Sequence, residues 1–199
     1  GKGNYAAFTS PFHTDLQMLY PGALVVDPQP TSAIEDGMSP TMLLSEVRTF
    51  DRPDDSRGVW SVPWNGSSLL AFDLHPRNWP SEHDGAAVDS LVIEHRAAYV
   101  PGLEGLGKTQ RPNNRGPNRD TLPLCREGNG ALSEAAEAAG MPCTLQTTVL
   151  GVHGYMSAAP RSGHPGGVNA AFLDGRVAFV ADDVDELVMA SQISVNDGR

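Results

Sequence analysis

Hydrophobic and polar positions are most regularly ordered near the C-terminus, where two apolar runs, VNAAFL (168–173) and RVAFVA (176–181), flank Asp174-Gly175. Asp-Gly tolerates the positive φ angles of a two-residue turn, so the pattern predicts a β-hairpin. In such a hairpin Val168, Ala170 and Phe172 share one face, joined by Val177, Phe179 and Ala181 from the second strand. Asp182 or Asp183 then caps a helix over VDELVMASQI, whose Val184, Leu187, Val188 and Ile193 follow helical spacing.

Upstream the pattern is weaker. LVV (24–26), fenced by Pro21-Gly22 and Pro28, reads as a short strand, and MLLSEV (42–47) as a buried strand or a helical turn. GVWSVPW (58–64) alternates as an edge strand would, with Pro63 in keeping with an edge, and SLLAFD (68–73) offers another short strand. ALSEAAEAAG (131–140) is a helix by composition, capped by Ser133 and ended by Gly140 and Pro142. A long polar loop fills about 101–122, a hairpin–helix unit spans 164–193, and no internal repeat is present, so residues 1–199 read as a single globular domain.

Composition sharpens this picture. Among 199 residues there are 21 Gly and 16 Pro, which implies many turns and few long helices. The expected class is therefore a loop-rich α+β or mostly-β domain rather than a helical bundle. The net charge of −10 repels nucleic acid and anionic lipid, and no apolar run is long enough to span a membrane. The opening GKGNYAAF carries no signal-type apolar segment, which points to a processed chain. A bridge between Cys125 and Cys143 would close a loop of about 18 residues, worth roughly 3 kcal/mol. It requires an oxidising compartment; elsewhere the two would be independent buried thiols.

Several chemical candidates weaken on inspection. GLEGLGKT (102–109) fits the phosphate-cradling G-x-x-x-x-G-K-[ST] loop, but the QRPNNRGPNR that follows cannot form the helix such a loop needs. The histidines His13, His75, His83, His95, His153 and His164 are scattered, and no G-x-S-x-G accompanies them. His75 and His83 stand in a Pro-rich loop with Glu82 and Asp84, a pattern better suited to solvated surface than to a metal. Asp174, Asp182, Asp183 and Asp185 offer hard oxygen ligands of the kind Ca²⁺ takes, without the spacing of a dedicated calcium loop. No other cofactor is expected. Lys108, Arg111, Arg115 and Arg119 form a basic stretch, either an exposed loop or a contact for an acidic neighbour such as a second copy. His164, before Pro165-Gly166-Gly167, reads as a residue that hydrogen-bonds a loop carbonyl or Asp174 and pins the start of the hairpin.

The run SGHPGGVNAAFLDGRVAFV, with nine residues between His164 and Asp174-Gly175, resembles the C-terminal signature of the DUF1559 family of planctomycete-type bacteria. IEDGMSPTMLLSE (34–46) resembles the family's I-x-DG-x-SNT-hhh-x-E segment, with Pro40 where Asn is usual. GVW (58–60) and the terminal NDG (196–198) add to the likeness, while 65–155 matches weakly. The resemblance implies an α+β, pilin- or pseudopilin-like globular head, an antiparallel sheet packed on a long helix, with prepilin-type processing and export to the cell surface or secretion. It assigns His164, Gly166, Gly167, Asp174 and Gly175 to the fold signature rather than to an active site. The apolar N-terminal helix of that family is absent from this sequence.

These readings converge on a non-enzymatic extracytoplasmic assembly protein that associates with itself or with other pilin-like subunits. The alternative is a secreted carbohydrate- or polymer-binding module using Trp60, Trp64 and Trp79.

Overall fold

A computed structural model of the chain describes residues 1–14, 17–18, 20–74, 109–116, 119–122, 124–125, 130–145 and 157–197. A five-stranded sheet of order β3-β1-β2-β6-β7 forms its centre. The strands are β1 (Tyr5–Ser10), β2 (Met42–Glu46), β3 (Leu69–Ala71), β6 (Gly167–Phe172) and β7 (Val177–Ala181). All neighbours are antiparallel except β1 and β3. A separate parallel pair joins β4 (Asp120–Leu122) to β5 (Cys143–Leu145), with α1 (Ala131–Ala138) beside it. The α+β class agrees with the sequence pattern and the mostly antiparallel sheet with what the family resemblance implies, whereas the α-helices among the described residues are eight residues each rather than one long helix.

The main core lies on one face of the sheet. Phe8, Met42, Leu70, Phe72, Val168 and Phe172 pack there against Met189, Ala190 and Ile193 of α2 (Glu186–Ile193). A smaller apolar cluster of Leu122, Cys125, Ala136 and Cys143 sits under α1. Cys125 and Cys143 are joined by a disulfide with their Cα atoms 6.0 Å apart.

The hairpin forms where the sequence places it, but with the opposite face inward on its second strand. Of the Asp174-Gly175 pair, only Gly175 takes a positive φ, at 86°. Its amide donates to Phe172 O at 3.0 Å and the Arg176 amide donates to Asp174 Oδ1 at 2.9 Å, closing a three-residue loop. The extra loop residue shifts the register by one, pairing Val168 with Val180 and Ala170 with Ala178. Val180 is therefore buried, while Val177 and Phe179 are exposed. Gly167 is fixed at the base of this unit because a Cβ there would fall 2.2 Å from Val180 O.

Other expectations need correction. LVV does not form a strand: Leu24 and Val26 are exposed, and the Val26 amide is taken by Gln17 Oε1 rather than by a neighbouring strand. GVWSVPW is a series of turns, with the Gly58 amide bonded to Gly66 O and the Val62 amide to Val59 O, three residues back. Gly130, not Ser133, occupies the N-cap of α1, and Ser133 is buried inside the helix. Gly140, with φ of 70°, ends α1 as anticipated: its amide bonds Glu137 O while that of Met141 reaches Ala136 O. On α2 the cap is Asp185, whose carboxylate accepts from the Leu187 and Val188 amides, and not Asp182 or Asp183. Val188 faces solvent.

Candidate functional site

The HPGG segment borders two adjoining grooves that share Arg48, Ser162, Gly163 and His164. Their volumes are about 330 and 670 Å³. His164 stands on the rim, with its side chain 54% exposed. Its Nε2 lies 3.2 Å from Glu46 Oε1, so its partner is neither Asp174 nor a loop carbonyl. Glu46 is better held than His164: its Oε2 accepts from the Asn169 amide at 2.7 Å, and the carboxylate is mostly buried. The Ser162 hydroxyl donates to Gly167 O at 2.6 Å and accepts from the His164 amide, shaping the loop before β6.

This contact joins the two distant motifs. Glu46 closes the IEDGMSPTMLLSE segment, and His164 and Asn169 belong to the C-terminal run. A second junction lies at the other end of the first motif, where the Asp197 amide donates to Asp36 Oδ2 at 2.8 Å. Burial pushes the Asp36 carboxyl up; the Asp197 amide opposes this, and the Asp197 and Glu35 carboxylates reinforce it. A third forms where Arg176 Nη2 donates to Ser39 O and the Leu173 amide to Thr41 O. The motif residues hold one another.

Beneath the groove lies a buried charge network that sequence reading missed. Arg57 and Arg161 are each about 1% exposed. Arg57 binds Asp55 through Nη2 at 2.7 Å and Asp120 through Nη1 at 3.2 Å. Arg161 holds Asp120 with two bonds, Nε to Oδ2 at 2.7 Å and Nη2 to Oδ1 at 2.8 Å. Burial pushes the Asp120 carboxyl up, but the Arg161 and Arg57 guanidiniums and the Ala159 amide prevail and hold it below the usual carboxylate range. The Asp55–Arg57 pair is local, but Asp120 lies 63 residues from Arg57 and 41 from Arg161, so no spacing rule announces the network.

A second buried cluster pairs His13 with Asp73, a residue at φ of 61°. Ser157 Oγ donates to Asp73 Oδ2 at 3.1 Å, and Gln110 Nε2 donates to Ser157 Oγ. Serine thus gives its proton to the carboxylate rather than to the imidazole, the reverse of what an activated nucleophile requires.

The remaining candidates are dispersed. Asp174 serves the hairpin turn, and its carboxyl is held low by the Arg176 amide and Ser39. Asp182 Oδ1 accepts from Asn113 Nδ2 at 2.8 Å, Asp183 is exposed, and Asp185 caps α2. The calcium set is therefore not assembled, and among the described residues no group of three or more His, Cys, Asp or Glu is gathered for a metal. Of the basic stretch, Arg111 turns back to Glu186 at 3.2 Å and Arg119 to Glu137 at 2.6 Å, while Arg115 lines the larger groove. Lys108, Trp79, His75, His83, His95, His153 and the 102–108 part of GLEGLGKT lie outside the described residues. Among the described residues no helix is long and apolar enough to cross a membrane.

A family described as a protein of unknown function (DUF1559) matches residues 2–187. The chain belongs to the DUF1559 family. The match takes in the weakly patterned middle as well as the motif-bearing ends. Comparison with curated proteins and with solved structures returned no match.

Proposed function

We propose that this DUF1559 domain is non-enzymatic and serves outside the cytoplasm as a pseudopilin-like head in a surface or secretion assembly, alongside further copies or other pilin-like subunits. The observation that carries the reading is the use made of the motif residues. Glu46, His164, Asn169, Asp36 and Asp197 are engaged with one another across the sheet and loops. A domain whose most distinctive residues tie its own strands together is built to present a stable surface. The Cys125–Cys143 disulfide supports an oxidising location.

Chemical cross-linking in the native cells, followed by mass analysis, tests the reading. The expected result is a ladder of species containing several copies or several pilin-like subunits at the cell surface. A monomer found only in the cytoplasmic fraction would overturn it.

A second reading, a polymer-binding module, draws support from Trp60 and Trp64, which are 54% and 42% exposed on the turn-rich 58–64 segment. Aromatic faces displayed in this way suit stacking on sugar rings. Saturable quenching of tryptophan fluorescence by soluble polysaccharide, lost in the Trp60→Ala variant, would favour this reading over assembly.

A further inference from the structure

The groove beside His164 concentrates positive charge in a chain whose net charge is −10. Arg48 lines both grooves, Arg161 the smaller and Arg115 the larger, and Arg48 is near enough to feel the charges of these two and of Arg57. Arg57 and Arg161 are matched by Asp55 and Asp120. Among the described residues, Arg48 and Arg115 form no ion pair.

Both unmatched arginines are positioned rather than loose. Arg48 Nη1 donates to Ala139 O at 3.0 Å, against the carbonyl end of α1, which leaves most of its fork of donors uncommitted. The Arg115 guanidinium lies on Gly140, where an added Cβ would meet Nη2 at 2.7 Å. Gly140 is glycine for its positive φ, and its bare backbone also gives Arg115 its seat. Burial lowers the Arg48 pKa, and the nearby Arg161, Arg57 and Arg115 charges lower it further.

The other charged groups at the groove orient it. Glu46 is occupied by His164 and Asn169. Asp182, bonded to Asn113, places a carboxylate in the same groove as the two arginines and so disfavours an anion beside itself. Gly163 and Gly166 have nothing within 4 Å of a built Cβ, so this part of the rim is open.

We propose that this groove binds an oxyanion group (a carboxylate, sulfate or phosphate) held by the Arg48 and Arg115 guanidiniums. Their planar forks match such oxygens bidentately, and the groove volumes fall in the range of small-molecule sites, so the anion would be one end of a larger ligand. The inference stands apart from the assembly reading, since the anion can be a free ligand or an acidic group of a neighbouring subunit.

The test is titration of the folded chain with inorganic phosphate, against sodium chloride at matched ionic strength, followed by amide NMR or calorimetry. The expected result is saturable binding that Arg115→Gln weakens by roughly tenfold or more, about 1.4 kcal/mol. Arg48→Gln should weaken it likewise, although that variant also loses a bond at the end of α1. Arg119→Gln, which removes an arginine already paired with Glu137, should leave binding unchanged and controls for net charge. Phosphate binding no better than chloride, or equal in Arg115→Gln and the parent, would overturn the proposal. Sedimentation with and without phosphate separates the sources: dissociation of multimers assigns the anion to another copy, and unchanged sedimentation with binding assigns it to a free ligand.

Discussion

Asp120→Ala is expected to destabilise the folded chain by about 3–5 kcal/mol in urea unfolding at neutral pH, the cost of leaving buried charge uncompensated. Asp120 is the carboxylate shared by Arg57 and Arg161, and all three side chains are at most 2% exposed. Removing it leaves Arg161 with carbonyl partners only, at Asn114 and Gly140, and Arg57 with Asp55 and Met141 O. Asp120→Asn keeps the shape but not the charge, and is expected to lose a large part of the same stability. The effect has a pH signature. The folded-state pKa of Asp120 is depressed, so its contribution is complete above the unfolded-state value and is lost as pH falls through the folded-state value. Urea unfolding repeated at decreasing pH should therefore show the parent losing stability in the acid range, with Asp120→Asn losing less. Equal acid sensitivity in the two proteins would contradict this account of the network.

That network also marks the limit of what the sequence makes legible. Local pattern located β2, β3, β6, β7 and both helices, because alternation, Asp-Gly and an Ala/Glu-rich run act over a few residues. It failed where one residue of loop length decided the outcome: the three-residue turn closed by Gly175 moves Val180 into the core and Phe179 out of it. It also failed for β1, where all but Tyr5 of YAAFTS is buried by partners β2 and β3 from elsewhere in the chain rather than marked by its own alternation. In the 58–64 segment, alternation mimicked a strand that turn hydrogen bonds replace. Of the candidate site, His164 and Arg115 were visible as single residues. Their partners were not, because Glu46 lies 118 residues from His164 and Arg48 reaches the end of α1 across 91 residues.

Reduction of the Cys125–Cys143 disulfide is expected to cost about 3 kcal/mol, the chain-entropy value for a loop of this length. For a chain of this size that corresponds to a fall in Tm of roughly 6–12 °C. Both cysteines are fully buried in the small cluster with Leu122 and Ala136, so reductant acts on them only as that unit opens. The β4–β5 pair runs directly into Cys143, and Asp120 sits opposite it in register. Loosening this unit therefore also disturbs the carboxylate that holds Arg57 and Arg161. Thermal unfolding of the oxidised chain, the reduced chain and the Cys125→Ala/Cys143→Ala variant measures the effect. Coincident transitions for all three would show that the bridge contributes nothing to the fold.

We propose that the family motifs of this chain are internal ties rather than a reaction centre, and the Glu46–His164–Asn169 junction is where they meet. The most direct measurement is equilibrium unfolding of Glu46→Ala beside His164→Ala. The exposed His164 partner is expected to contribute less than about 1 kcal/mol after solvent screening. Glu46→Ala is expected to cost more, about 1–3 kcal/mol, because the Asn169 amide loses its carboxylate partner. A Glu46→Ala chain as stable as the parent would contradict the claim and leave that carboxylate free for chemistry.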